Sequence, residues 1–382
     1  MRVETCRCEF DVDPSAGMWR RMRALAAISA GFLFSNALFA QAAQPTVSYK
    51  IVTASERGTY IQIGRDLARF VAPQAGIQLE AMPSKGSADN VSRLRYDTNV
   101  KLAIVQSDVY QAFLDYAAKD NREAADLIRP LRVVLPLYDE EIYFVVRADS
   151  PLQFVHEIKD RKINIGPLQS GTAMSASTIY RLMFQQPMQD ANVSTVTNEE
   201  ALIKLSTDKS IDVAVIVAGQ PAKLLADMKP EARQYVRLLK VDFDNPATKA
   251  ALQTYVPATI RSASYPNWLD QDVNGLAVKA YLVTYDYSYR VTVDHLAALA
   301  RSLCQNFQVL QTEGHPKWRD VKLSLPPLGR GWTYYAPMER VLRSCQSPEQ
   351  VEQAAPAAPR ASGAEHEGCT QQERILGLCR PQ

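Results

Sequence analysis

Four times this chain runs a short alternating or β-branched segment into a small-residue turn that opens a helix. That repeat limits the fold more than any other feature. The fullest instance is Lys162-Ile163-Asn164-Ile165-Gly166-Pro167-Leu168-Gln169-Ser170-Gly171-Thr172-Ala173-Met174. Its KINI part alternates and stops at Gly-Pro, as a strand does, and the following AMSASTIYRLMF has helical composition. The first turn of such a helix carries backbone N–H groups without internal partners, and the macrodipole adds partial positive charge there. Ser170 or Thr172 can cap the helix or bond a ligand oxygen, and Gly171 lets a ligand approach the backbone. The other instances are VSYKIVTA with Gly58-Thr59-Tyr60, IQLEAMPS with Gly86-Ser87-Ala88-Asp89-Asn90, and VKLAIVQS with Gln106-Ser107-Asp108. Each alone is equally an ordinary helix cap. Successive βα units ending this way converge on the carboxyl edge of one sheet, where open α/β sheets bind ligands.

The middle of the chain, LRVVLPLYDEEIYFVVRADS, contains two extended segments around Asp139-Glu140-Glu141. They read as the crossing from one lobe to the next, with the acids in a solvated turn. A buried strand, IDVAVIVAG, closes at Gly219-Gln220-Pro221. GLAVKAYLVTY is a late strand, VDHLAALARSLCQNFQVLQ a long helix and PMERVLRSC a short one.

Hydrophobic residues make up 47 % of 382, enough for two cores. With 43 basic and 41 acidic residues and no basic run interleaved with aromatics, no nucleic-acid partner is expected. Trp19-Arg20-Arg21-Met22-Arg23, the apolar ALAAISAGFLFSNALFA and Ala40-Gln41-Ala42 predict a signal peptide over residues 18–42, cleaved after Ala42, and a periplasmic protein. Residues 1–17 read as an extension ahead of a true start at Met18. Four cysteines follow the signal, which in an exported chain favours disulfides. The preferred pairs are Cys304 with Cys345 and Cys369 with Cys379, though four cysteines permit three pairings. Residues 346–382 form an Ala/Pro-rich tail expected to be disordered, with QQERILGLC as a helical turn near its end. His156, His295, His315 and His366 lie far from the Ser/Thr clusters, and Gly171–Ser175 is not a nucleophile elbow. No metal-ligand cluster or Walker loop occurs, so no catalytic residues, cofactor or metal are expected.

Taken in order, these motifs resemble the TAXI family, periplasmic solute receptors associated with TRAP transporters. The resemblance rests on Gly58-Thr59-Tyr60, Gly86-Ser87 with Asn90, Gln106-Ser107-Asp108 and Leu137-Tyr138. It continues through Arg147-Ala148-Asp149-Ser150, Ile165-Gly166-Pro167, Ser170-Gly171-Thr172, Asp212 and Gly219-Gln220-Pro221, across residues 47 to 345. It implies an α/β, two-lobe, periplasmic-binding-protein-like clamp of type II. The first lobe would be discontinuous (43–140 and 251–345), the second would span 141–250, and a hinge would join them. It implies a monomer that captures a small carboxylate, an amino acid or a dicarboxylate, and delivers it to the membrane subunit of a TRAP permease. A ligand-sensing periplasmic receptor or the receptor of an ABC importer would use the same clamp. The ligand's anionic group would lie at Ser170, Gly171 and Thr172. Thr59, Tyr60, Gln106 and Ser107 would face it, Tyr60 with its hydroxyl on a polar end, and Gly219 would keep the backbone close. One departure is Ala54-Ser55-Glu56-Arg57, where the family is richer in glycine. It leaves Arg57 as a surface residue or an extra cation at the pocket mouth, while Arg147 flanks the hinge.

Overall fold

The computed structural model describes residues 47–117, 121–328, 331–345 and 371–378. The expected signal peptide and upstream extension, Cys369 and Cys379 lie outside these residues. The first run contains β1 (Val47–Val52), α1 (Thr59–Asp66), β2 (Ile77–Met82), α2 (Ser87–Tyr96), β3 (Val100–Gln106), α3 (Ser107–Ala117) and α4 (Arg122–Ile128). β1 pairs in parallel with β2 on one side and β3 on the other, the strands being joined by helical crossovers.

β4 (Leu131–Arg147) then runs unbroken for 17 residues. After it come β5 (Ile163–Asn164), α5 (Gly171–Phe184), β6 (Val193–Ser194), α6 (Asn198–Ser206) and β7 (Val213–Ala218). α7 (Lys223–Ala226), β8 (Val236–Leu238), α8 (Pro246–Ala251) and β9 (Val256–Ile260) complete the middle of the chain. β10 (Val273–Tyr285) returns antiparallel to β4 and leads into α9 (Arg290–Glu313), α10 (Ala336–Ser344) and α11 (Gln371–Leu376). The sheet order is β2-β1-β3-β10-β4-β7-β5-β6, with β8 on β4 and β9 on β10.

β4 and β10 belong to both lobes. The carboxyl half of β10 pairs with β3, and its amino half pairs with β9. The carboxyl half of β4 pairs with β7. Between the halves, the β4–β10 register shifts around Lys279 and Tyr281, which oppose Asp139 and Pro136. A discontinuity there twists one half-sheet against the other and marks the hinge of a two-lobe α/β clamp.

One core, with Ile51, Ile63, Ile104, Leu282, Leu303, Trp318 and Tyr335, lies under α1, α9 and α10 in lobe one. Another, with Tyr143, Ile216, Leu225, Tyr265 and Trp268, fills one face of lobe two. A third runs across both lobes on the opposite sheet face and includes Val105, Phe113, Phe144, Ile165, Met174, Val215 and Val278. Each fully buried side chain of this size contributes about 1.5–3 kcal/mol. The Cys304–Cys345 disulfide, the preferred of the possible pairings, staples α9 to the end of α10.

One expectation needs correction. Asp139-Glu140-Glu141 is not a solvated turn: all three residues lie inside β4, and Glu140 and Glu141 are 3 % and 6 % exposed. Their partners, Tyr60 and Lys317, are 80 and 176 residues away in sequence, so a local reading of charge could not find them. Within the tail, α11 falls on QQERILGLC, where a helical turn is expected, and its Ile375 and Leu376 are fully buried against the core that spans the lobes.

Candidate functional site

A cavity of about 170 Å³ lies between the lobes. Lobe one lines it with the loop at Ala54–Tyr60, the start of α2 at Lys85–Ser87, the end of β3 at Gln106, and Glu140 of β4. Lobe two lines it with Pro167, Ser170–Thr172, the start of α6 at Thr197–Glu199, the end of β7 and the start of α7. An apolar cavity of about 150 Å³ accommodates benzene, so a molecule of about six to ten non-hydrogen atoms fits.

Ser170 is the N-cap of α5: its backbone is extended (φ −77°, ψ 156°), and its Oγ accepts from Ala173 N–H at 3.0 Å. The N–H groups of Gly171 and Thr172, at the first two positions of the helix, have no intrahelical acceptor. Thr172 Oγ accepts from Val217 N–H at 3.3 Å, leaving its own O–H to donate. A Cβ on Gly171 would lie 1.9 Å from Gln106 Oε1, so only glycine permits this approach of α5 to β3.

The α2 terminus is used differently. Gln169, in the loop before α5, turns its carbonyl toward α2 and accepts from Ala88 N–H (3.1 Å) and Asp89 N–H (3.2 Å). Lys85 Nζ donates to Gln169 Oε1 at 2.9 Å, and Gln169 N–H donates to the Ile375 carbonyl beside α11 at 2.8 Å. α11 is held further by Arg374 on Asp190 at 2.7 Å. Gly86, at φ +125°, brings its Cα so near Ser170 that a Cβ would lie 3.0 Å from the serine Cα. Across the cleft, Thr59 donates its hydroxyl to the Gly219 carbonyl at 3.2 Å. The lobes are closed on each other.

The cavity floor is acidic. The Tyr60 hydroxyl donates to Glu140 Oε2 at 2.5 Å, so it is committed to the protein rather than free for a polar ligand end. Burial pushes the Glu140 carboxyl up to about 7 against the pull of Tyr60 and Gln106, with Glu141 adding to the rise and Lys317 opposing it. Gln106 is 3 % exposed, and its Oε1 finds no partner among the described residues. Behind the floor, Glu141 accepts from Lys317 Nζ (3.1 Å) and Gln220 N–H (2.7 Å), and Lys317 also reaches Asp320 at 3.0 Å. At the rim Arg57, Lys85 and Lys223 are exposed cations. Among the described residues Arg57 has no ion-pair partner, whereas Lys223 pairs with Asp227.

The structure therefore brings Thr59, Tyr60, Gln106, Ser170, Gly171 and Thr172 together on one wall set. Ser107 opens α3 and does not line the cavity. Gly219 is also off the wall, since its Cα packs on the Tyr138 ring and the Lys317 stem. Arg147 sits at the far end of β4, paired with Asp149 and near Asp212. Sequence reasoning missed Glu140, Lys85 and Asn198 on the wall, the last with a buried Oδ1 that lacks a partner among the described residues, and Gln169 behind it. Of these, only Gln169 carried a signal, from its place in the Gly-Pro to Ser-Gly-Thr loop. Among the described residues no group of three or more His, Cys, Asp or Glu side chains is placed to hold a metal ion, and no helix is long and apolar enough to cross a membrane.

The model of the NMT1-like family matches residues 51–324, from β1 to beyond Lys317. Among solved structures, the chain is similar to a Xanthomonas citri protein bound to ATP (13 % identity, 80 % of this chain and 99 % of that one, TM-score 0.40). It is also similar to a putative sulfonate ABC transporter's periplasmic sulfonate-binding protein from Methylobacillus flagellatus (12 % identity, 79 % and 77 %, TM-score 0.41). A third is a structure titled as a periplasmic transporter (13 % identity, 71 % and 88 %, TM-score 0.39). Similarity this remote carries no information about the ligand.

Proposed function

We propose, on the premise that the chain belongs to the NMT1-like family, that it is an exported solute-binding receptor that closes its two lobes on a small carboxylate, an amino acid or a dicarboxylate. The observation that carries this reading is the composition of the cavity wall. The free N–H groups and Thr172 hydroxyl at the start of α5 lie on the same small cavity as the rim cations Arg57, Lys85 and Lys223. Unpaired helix donors beside cations favour an anionic group. The ligand's carboxylate lies at Ser170, Gly171 and Thr172, and Thr59, Tyr60 and Gln106 close the opposite side. Nothing in this arrangement activates a nucleophile, and the receptor binds its solute without reacting with it.

Residence in the periplasm follows from the signal over residues 18–42, and delivery to a TRAP-type permease from the order of motifs between residues 47 and 345. The test is a thermal-shift screen of amino acids and small carboxylates on the wild type and on Thr172→Val. A ligand at about a hundred times its Kd stabilises by about 2.7 kcal/mol. The wild type should gain several degrees with at least one compound, and the variant should fold and lose that gain. No shift with any compound, or equal shifts in both proteins, would place the site elsewhere.

A further inference from the structure

The two ends of the cavity are chemically unlike. The α5 end offers donors. The floor offers acceptors: Glu140, 3 % exposed, accepts from Tyr60 on Oε2 and is also hydrogen-bonded by the Gln106 side chain, and Gln106 Oε1, turned toward Gly171, is buried without a donor among the described residues. A buried acceptor left unpaired is costly, so the floor is built for a group that brings hydrogens with it. A carboxylate alone cannot do so, whereas an ammonium carries three N–H donors and a charge opposite to that of Glu140.

We propose that Glu140 is the residue that recognises a ligand nitrogen: the ligand's ammonium seats on the Glu140 carboxylate and Gln106 Oε1, and the Glu140 carboxyl releases its proton to solvent as it does so. This rests on the solute-binding reading of the cavity and narrows it to amino-acid zwitterions. The groups around Glu140 are either held neutral, uncharged or already paired. From α1, Tyr60 is held neutral well above its usual range by burial and by Glu140. From β4, Tyr138 and Tyr143 are likewise held neutral by burial. Glu141, also raised by burial, keeps its bonds to Lys317 and Gln220 and is off the cavity wall. From β3 the facing group is the uncharged Gln106, and from the turn at Pro316–Asp320 it is Lys317, already bonded to Glu141 and Asp320. Glu140 itself, at about 7, is a mixture of both forms in this range.

The test is titration calorimetry of the full chain at pH 6 and pH 8, in buffers of different ionisation enthalpy, on the wild type and Glu140→Gln. The probes are glycine, L-glutamine and L-glutamate, with acetate and glutarate as matching acids without nitrogen. If only the carboxylate form accepts the ammonium, the apparent affinity is scaled by the deprotonated fraction. Amino-acid binding should then be about tenfold weaker at pH 6 than at pH 8, with nearly one proton released at pH 6. In Glu140→Gln binding should be weaker at pH 8, equal at the two pH values and free of proton release. That variant keeps an acceptor for the Tyr60 hydroxyl, and its unliganded melting temperature shows whether it folds. Three results overturn the inference while the receptor reading stands: amino-acid affinity equal at both pH values in the wild type, pH dependence unchanged in the variant, or tighter binding of the nitrogen-free acids. Absence of binding by every probe overturns both.

Discussion

Gly171→Ala isolates closure of the clamp from folding of the lobes. A methyl group there would stand 1.9 Å from Gln106 Oε1, 2.6 Å from its Cδ and 2.9 Å from Ser87 Oγ. Ordinary contact begins near about 3.5 Å, so the amide would have to withdraw by about 1.5 Å. It has little room to do so, because Gln106 is 3 % exposed and Ser87 Oγ is itself bonded to the Gln106 N–H. The relief available is separation of α5 from the end of β3, which is opening of the cleft. Overpacking of one methyl group costs about 1–3 kcal/mol. Charged only against the closed state, that is a loss of ligand affinity of about 5- to 150-fold. The unliganded fold should be unchanged or slightly more stable, since alanine is favoured over glycine by roughly 0.4–1 kcal/mol where the backbone accepts it. The assay is calorimetric titration of the best ligand from the screen, paired with melting of the unliganded variant. Unchanged affinity would refute the reasoning. So would a fall in the unliganded melting temperature, because the clash would then lie in the resting fold.

Three further outcomes follow from the structure. Glu140, held near 7 when folded against about 4.5 when unfolded, contributes stability that is fully present below pH 4.5 and lost as pH rises through 7. Glu140→Gln should therefore match the wild type at pH 4.5 and exceed it by about 3 kcal/mol at pH 8.5, measured by urea unfolding, and a gap independent of pH would contradict this. Replacing Cys304 and Cys345 together by alanine should cost about 2–4 kcal/mol, and non-reducing peptide maps of the wild type should join the two sulfurs. Ile375→Asp, which puts a charge at a fully buried position, should release α11 and make Arg374 a tryptic site while the melting of the lobes is largely kept.

What could be read from the sequence was local. The strand–turn–cap pattern at Thr59, Gln106 and Ser170 identified helix starts correctly, because those signals sit within four residues of the feature they announce. The type of element at Asp139–Glu141 could not be read that way. An acidic run is normally solvated, and the groups that bury this one arrive from α1 and from the turn after α9. Ser107 was misplaced for a related reason. Its neighbour Gln106 ends β3 pointing at Gly171, and the one-residue step from strand into helix carries Ser107 off the wall.

The α2 terminus lies on the same cavity as that of α5, as if both could take the ligand. The closed clamp argues otherwise. The N–H groups of Ala88 and Asp89 are satisfied by the Gln169 carbonyl, which belongs to the opposite lobe. Two anion-ready helix ends facing one cavity would compete for one carboxylate. Here one is capped by the protein as the lobes meet, and the Gly171 and Thr172 N–H groups of the other are left without an intrahelical acceptor. The same cap gives closure a ligand-independent contribution, joined by the Thr59 bond to Gly219. The solute then has to supply only the difference between these bridges and the hydration they displace. α11 enters through the same residue, because the Ile375 carbonyl fixes the Gln169 N–H and so orients the carbonyl that caps α2. Loss of α11 should therefore weaken closure through Gln169 rather than through any contact with the solute.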